Sequence, residues 1–287
     1  NAARYDAHKH RALSVVGDAL AGIEELGQAL GGWKAPDPWI SKSRSLYAEW
    51  NTTVEQHSGP TTDVPPSYAH VIGAVNRVCD ETDLALTAAG GFPGELCKNW
   101  KTKSSGTFDC EFGFSCMGYE IAGGWGAKMA NPSRDVIVFV GDGSYLMLNS
   151  DIYSTVLTGH KMIVIVCDNG GFSVINRLQN FKGSASFNNL LQDCKVENLQ
   201  GVDFVQHATS MGALGEHVES TAELEAAFKR AKAADRTYVI CIKTKPSQWT
   251  PGDAWWDVGV PEVSDREEVR QARADHTEGQ KRQRLGV

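Results

Sequence analysis

Two stretches decide the fold: Val136-Ile-Val-Phe-Val-Gly-Asp-Gly-Ser144 and Met162-Ile-Val-Ile-Val-Cys-Asp-Asn169. Each opens on an unbroken apolar run and closes on residues that can carry chemistry. A strand with one wetted face alternates apolar and polar side chains, whereas a continuous β-branched run belongs to a strand covered on both faces. The expectation is an α/β fold, an open parallel sheet with helices on both faces. In such a sheet ligands bind outside the carboxyl ends of the strands, so Gly141-Asp-Gly-Ser144 and Asp168-Asn169 should emerge on one functional edge.

Working outward, Ser67 to Cys79 reads as a helix, Leu84 to Ala88 as a short strand, and Gly90-Gly91 as a glycine loop. A small-residue helix over Met117 to Ala130 precedes the first decisive run, and another helix separates the two. Downstream, Val202 to Met211 and Ala222 to Ala234 read as helices, and Ala213 to Val218 and Tyr238 to Ile242 as strands. Upstream, Leu13, Val16, Leu20, Ile23, Leu26 and Leu30 step by three and four, one face of a helix ended by Gly31-Gly32. Prolines from Pro36 to Pro66 then bracket a helical connector with its helix around Ser41 to Gln56, and charge-rich Glu267 to Arg284 reads as a solvated terminal helix.

The composition narrows the function classes. Hydrophobic residues make up 41% and charged residues 22% of 287, as in ordinary globular proteins, and the net charge of −7 offers no attraction to nucleic acid. The longest apolar run, Val136 to Val140, is far too short for a bilayer span. Asn1 to Arg11 lack the order of a secretory signal and an initiator Met, so the sequence is expected to start inside a longer protein. Seven scattered cysteines without a C-x-x-C pair point to reduced thiols in a cytoplasm, and Cys167 to an inert position on a buried strand.

A carboxylate at Asp142 and an amide oxygen at Asn169 are hard donors, suited to magnesium or calcium rather than zinc. A backbone carbonyl beyond Asn169, two oxygens of a diphosphate and a water would complete six ligands. Gly143 lets the backbone approach a phosphate, Ser144 can donate its hydroxyl, and a helix starting after Ser144 would aim free N–H groups at the anion. Alone, Gly-Asp-Gly is turn chemistry. Its pairing with Asn169 at the next strand end, with 25 residues between Gly143 and Asn169, gives it meaning.

This order and spacing resemble the cofactor-binding motif of thiamine diphosphate (ThDP) enzymes. The resemblance implies that Asp142, the Asn169 side chain and the Gly171 carbonyl bind Mg2+; Asp168, where the family usually has Asn, is not a ligand. Phe114-Ser-Cys-Met-Gly-Tyr119 lies where the family wedges an apolar side chain beneath the cofactor. Met117 takes that place, with the backbone of Ser115 and Met117 bonding the pyrimidine edge. The loop Ala89-Gly90-Gly91-Phe92 would meet the far side of the diphosphate. Core filling is the plain alternative for Met117.

The stretches Thr87 to Glu95, Glu111 to Gly124, Gly141 to Ser150 and Ala254 to Val258 further resemble the branch that hydrolyses a C–C bond of a trihydroxycyclohexane-1,2-dione ring, yielding 5-deoxy-glucuronate in myo-inositol catabolism. The resemblance implies that residues 1–33 are the tail of a middle domain, 34–66 a connector, 67–245 the diphosphate- and metal-binding domain, and 246–287 an extension. It also implies a polyol-derived diketone substrate, self-association at least to a dimer, and an activating Glu on a separate upstream domain, so that no catalytic residue belongs to this chain. Another ThDP enzyme, acetolactate synthase-like or a 2-oxoacid decarboxylase, is the near alternative, and a non-catalytic phosphate-binding module the remote one. His70, His160, His207 and His217 lack metal-ligand spacing. Trp249, Trp255 and Trp256 read as anchors for the tail, and Asn176 and Arg177 as candidates for substrate hydroxyls or a solvated helix face.

Overall fold

In the computed structural model, which describes residues 7–8, 11–197, 200–254 and 257–283, the apolar runs become strands of a six-stranded, all-parallel sheet. The strands are β1 (Leu84–Thr87), β2 (Phe108–Cys110), β3 (Val136–Gly141), β4 (Ile163–Asp168), β5 (Leu214–Val218) and β6 (Tyr238–Lys243). Their order across the sheet is β2-β1-β3-β4-β6-β5. From β1 the chain moves outward to β2 and then returns past β1 to β3. The direction of winding therefore reverses between β1 and β3, which makes the crevice beyond their carboxyl ends the topological switch point.

The helices are α1 (Ala19–Leu30), α2 (Asp37–Ser58), α3 (Tyr68–Val78), α4 (Gly91–Asn99), α5 (Tyr119–Ala130), α6 (Asp142–Met147), α7 (Asp151–Thr158), α8 (Ser173–Phe181), α9 (Phe204–Ser210), α10 (Thr221–Ala233) and α11 (Glu267–Arg282). Side chains alternate between the two faces of a strand. Ile137, Phe139, Ile163 and Ile165 pack with Ile72 of α3, Leu96 of α4 and Phe228 of α10, whereas Val138, Val140, Val164 and Val166 pack with Ile121 of α5, Ile152 of α7 and Phe204 of α9. Both faces are covered, as uninterrupted apolar strands require.

The chain divides into two units, Thr52–Asp253, which holds the sheet, and Asn1–Asn51 with Ala254–Val287. In the second unit α1 starts at Ala19 rather than Leu13, because Asp18 Oδ1 accepts the Leu20 and Ala21 N–H groups and caps it there. Its expected apolar face exists, but Leu20, Ile23 and Leu26 stay exposed. The described part of the terminal helix is α11; Arg284, Trp255 and Trp256 lie outside the described residues. No described helix is long and apolar enough to cross a membrane.

Several boundaries differ from the sequence expectation for local reasons. Helix α5 starts at Tyr119 instead of Met117 because Gly118, at φ 97°, turns the chain just before it. The short α6 starts at Asp142 rather than beyond Ser144. Asp203, accepting the Gln206 N–H at 2.9 Å, sets the start of α9 at Phe204. Edge strand β2 is three residues long and half-buried throughout, too short to show a period. Helix α4 springs directly from the glycine pair.

Candidate functional site

The site is built where β3 and β4 end. Gly141 stands opposite Cys167 in the ladder, so the next residues of the two strands, Asp142 and then Asp168-Asn169, leave the sheet side by side. The Gly171 N–H donates to Asp142 Oδ2 at 2.7 Å and binds the two strand ends together. The other carboxylate oxygen, Oδ1, is buried without a hydrogen-bond partner. Burial, and then the charge of Asp168, push the Asp142 carboxyl up to about 7, against the pull of the Gly171, Gly143 and Gly170 N–H groups.

Asn169 is oriented by a residue not singled out in the sequence. Its amide nitrogen donates to the hydroxyl of Tyr68, a buried residue on α3. That bond turns Asn169 Oδ1 the other way, and this oxygen too is buried and unpartnered. Asp168 is otherwise employed: Oδ1 accepts the Gly170 N–H at 3.0 Å and Oδ2 accepts Lys243 Nζ at 2.5 Å. The structure thus leaves two hard oxygen donors, one anionic, buried and unsatisfied on neighbouring strand ends. Buried polar atoms are rarely left so. A small divalent cation would satisfy both, and the chemistry of the two donors fits Mg2+, with most coordination positions left for phosphate and water. A cavity of about 470 Å³ adjoins them, lined by Asp142, Asn169, Gly171, Phe172, Val202 and Thr244 among others.

The other expected contributors are placed unevenly. Gly90, at φ 81°, caps α4, and a side chain there would meet open space, so the backbone is approachable. Gly91 instead faces the protein: a Cβ would lie 2.8 Å from the rings of Tyr68 and Trp249. A Cβ on Gly143 would lie 2.6 Å from the ring of Phe172, which covers the side from which the sequence suggested that a phosphate approaches. Ser144 is buried, beside the Glu120 carboxylate. Met117 is half-buried in the turn before α5. Ser115 takes φ 54° in an exposed loop folded around Glu111, whose carboxylate accepts the Phe114 and Cys116 N–H groups at 2.9 and 2.8 Å.

The bland assignments resolve individually. His70 Nδ1 accepts the Ser67 N–H in a capping box, His207 bonds the Tyr145 hydroxyl at 2.9 Å, His217 bonds Asp203, and His160 bonds Thr158. Arg177 pairs with Asp253 and lies 4.9 Å over the Trp249 ring, so it is committed within the protein, and Asn176 Oδ1 is buried. Cys167 is fully buried, and burial pushes its thiol up, away from the reactive thiolate. Tyr68, Phe172 and Glu120 are the residues that sequence reasoning missed; none carries a spacing signal.

A doubly covered parallel sheet, with a cation-directed donor pair and an open glycine turn at the ends of strands flanking its switch point, defines an α/β domain for a phosphorylated cofactor. Residues 88–242 match the thiamine pyrophosphate enzyme family, C-terminal TPP binding domain, and the chain belongs to that family. Thiamine diphosphate, the same compound, is its cofactor.

The chain is 34% identical over 303 residues to the 3D-(3,5/4)-trihydroxycyclohexane-1,2-dione hydrolase of Geobacillus thermodenitrificans, covering 95% of this chain and 47% of that protein. It is 39% identical over 209 residues to a second hydrolase of that name from Bacillus cereus, covering 70% of this chain and 32% of that one. The chain spans about half the length of the curated relatives matched along most of it. Among solved structures it is similar to the thiamine diphosphate-dependent 4-hydroxybenzoylformate decarboxylase of Rhodococcus jostii RHA1, with a TM-score of 0.58 and 20% identity over 64% of this chain and 34% of that one. That is a likeness of fold.

Proposed function

We propose that the chain is the cofactor-binding part of a ThDP-dependent hydrolase that opens the ring of a trihydroxycyclohexane-1,2-dione by C–C cleavage. The observation that carries the cofactor half is the buried, unpartnered oxygen pair of Asp142 and Asn169; the substrate half rests on the hydrolases matched over 95% of this chain. In this reading residues 67–245 form the diphosphate- and metal-binding domain, 34–66 a connector, 1–33 the tail of a middle domain and 246–287 an extension.

Asp142 and Asn169 would hold Mg2+ with the Gly171 carbonyl, and Gly90 would give the diphosphate an unobstructed backbone. Gly143 would take part once the Phe172 ring moves aside, and Ser144 through its N–H or hydroxyl beside Glu120. When bound, thiamine diphosphate supplies a carbon nucleophile at its thiazolium C2, and the protein's work is to bind, fold and orient it. Met117 would press on the cofactor from the turn before α5. Self-association belongs to the same reading: Phe112 and Phe114 after β2, Leu146, Met147 and Leu148 after β3, and Ile175 after β4 are exposed apolar side chains on one edge of the sheet, the kind of surface a second subunit covers.

The test is an assay of the full-length protein with ThDP and Mg2+, offering the cyclic dione and pyruvate in parallel. Ring opening to a carboxylate is the expected result; turnover of pyruvate alone would make it an enzyme of 2-oxoacids. For Met117, Met117→Ala should lower turnover more than cofactor affinity, because the metal and diphosphate contacts survive. If Met117 only fills core, stability should instead fall by about 2–5 kcal/mol with turnover per folded molecule unchanged. Single-turnover kinetics and thermal unfolding of the same variant separate these outcomes.

A further inference from the structure

The switch-point crevice has three rims, the loops after β1, β2 and β3, and one side chain bonds the first two. Glu120, in the first turn of α5, is fully buried. Its Oε1 accepts the N–H of Ala89, next to Gly90 on the loop after β1, at 3.1 Å. Its Oε2 accepts the N–H of Gly118, next to Met117 on the segment after β2, at 2.8 Å. The Ser144 side chain, after β3, adjoins the same carboxylate and favours its charged form. We infer that Glu120 is a positioning residue for the cofactor, its carboxylate fixing the glycine turn and the Met117 turn in one mutual geometry.

The inference rests on the proposed cofactor site, and its chemistry is particular to a carboxylate. Both donors are backbone N–H groups, which can only donate, and they reach different oxygens, so both oxygens must accept. A carboxamide has one accepting oxygen; its NH2 would face either the Ala89 or the Gly118 N–H, donor against donor. Backbone ladders alone do not set these rims. The β1–β3 pairing ends at Leu86–Val138, with Thr87 adding a bond from its Oγ1 to the Phe139 carbonyl at 3.1 Å. Beyond that, the loops after β1 and β2 are tied to each other through Glu120. Buried charge-accepting bonds of this kind are among the stronger ones and are costly to leave half-made.

The experiment uses the full-length protein as wild type and as Glu120→Gln, titrated with ThDP at saturating Mg2+ in a calorimeter, with apo melting temperatures and amide hydrogen exchange measured alongside. The expected result is a roughly tenfold or greater loss of ThDP affinity in Glu120→Gln, together with faster exchange at Ala89 and Gly118. An unchanged affinity in the variant, with wild type binding normally, overturns the inference while leaving the cofactor site standing, even if the melting temperature falls. Absence of ThDP binding by wild type removes both. Should Glu120→Gln fail to fold, wild-type exchange decides: protection of the Ala89 and Gly118 amides without cofactor supports the tie, and exchange at free-loop rates overturns it.

Discussion

Asp142→Ala is expected to weaken magnesium-dependent ThDP binding by roughly a hundredfold or more, the loss that follows when one member of a buried charge pair is truncated. The carboxylate is the anionic member of the donor pair, and its free Oδ1 has no other partner. Without it, a divalent ion facing a diphosphate keeps only neutral protein donors, the Asn169 oxygen and the Gly171 carbonyl, whereas Asn169→Ala leaves the anionic ligand in place and should weaken binding less. The same variant should leave the apo protein as stable as before or more so. Burial already pushes the Asp142 carboxyl up to about 7, and replacing a poorly compensated buried acid by a methyl group removes that penalty. Calorimetry with ThDP and Mg2+, and thermal unfolding without them, should therefore move in different directions. Unchanged cofactor affinity in both variants would exclude this site; a collapse of apo stability would show that Asp142 serves the fold instead.

The central strands were legible because they are long, apolar on both faces and closed by chemistry-bearing residues: Val136–Gly141 and Ile163–Asp168 announce themselves. The edge strand Phe108–Cys110 did not, since three half-buried residues lack a period. Asp142 and Asn169 could be paired from their strand-end positions alone. What orients the Asn169 amide could not, because Tyr68 lies 101 residues away and meets it only through packing. Glu120 was hidden for the same reason: a Glu in the first turn of a helix is ordinarily a solvated complement to the helix dipole, and only burial and the N–H of Ala89, 31 residues away, give it another meaning. The backbone details of glycines were half legible. Gly90 and Gly91 look alike in sequence, yet one needs a positive φ and faces open space while the other needs room for two rings.

Gly171→Ala is expected to be the most damaging single-methyl change near the site. Gly171 sits at φ 137°, and an added Cβ would lie 2.4 Å from the Asn189 carbonyl oxygen and 3.1 Å from Leu190 Cα. Those atoms cannot step aside. The Phe172 N–H donates to that Asn189 carbonyl at 2.7 Å and the Leu191 N–H to the Gly170 carbonyl at 2.8 Å, the two bonds of an isolated bridge between Gly171 and Leu190. Backbone strain of about 1–3 kcal/mol and overpacking of about 1–3 kcal/mol together put the loss at roughly 2–6 kcal/mol. Gly170→Ala is the control. Gly170 also has a positive φ, 79°, but its Cβ would meet nothing within 4 Å, so it bears only the left-handed penalty of about 1–2 kcal/mol. At roughly 2–4 °C per kcal/mol for a domain of this size, thermal unfolding should rank Gly171→Ala clearly below Gly170→Ala. Equal melting temperatures would mean that the bridge yields and does not pin the loop. Cofactor affinity should follow the same ranking, because Gly171 donates its N–H to Asp142: moving this residue displaces the carboxylate and its own carbonyl together, whereas a methyl on Gly170 displaces neither.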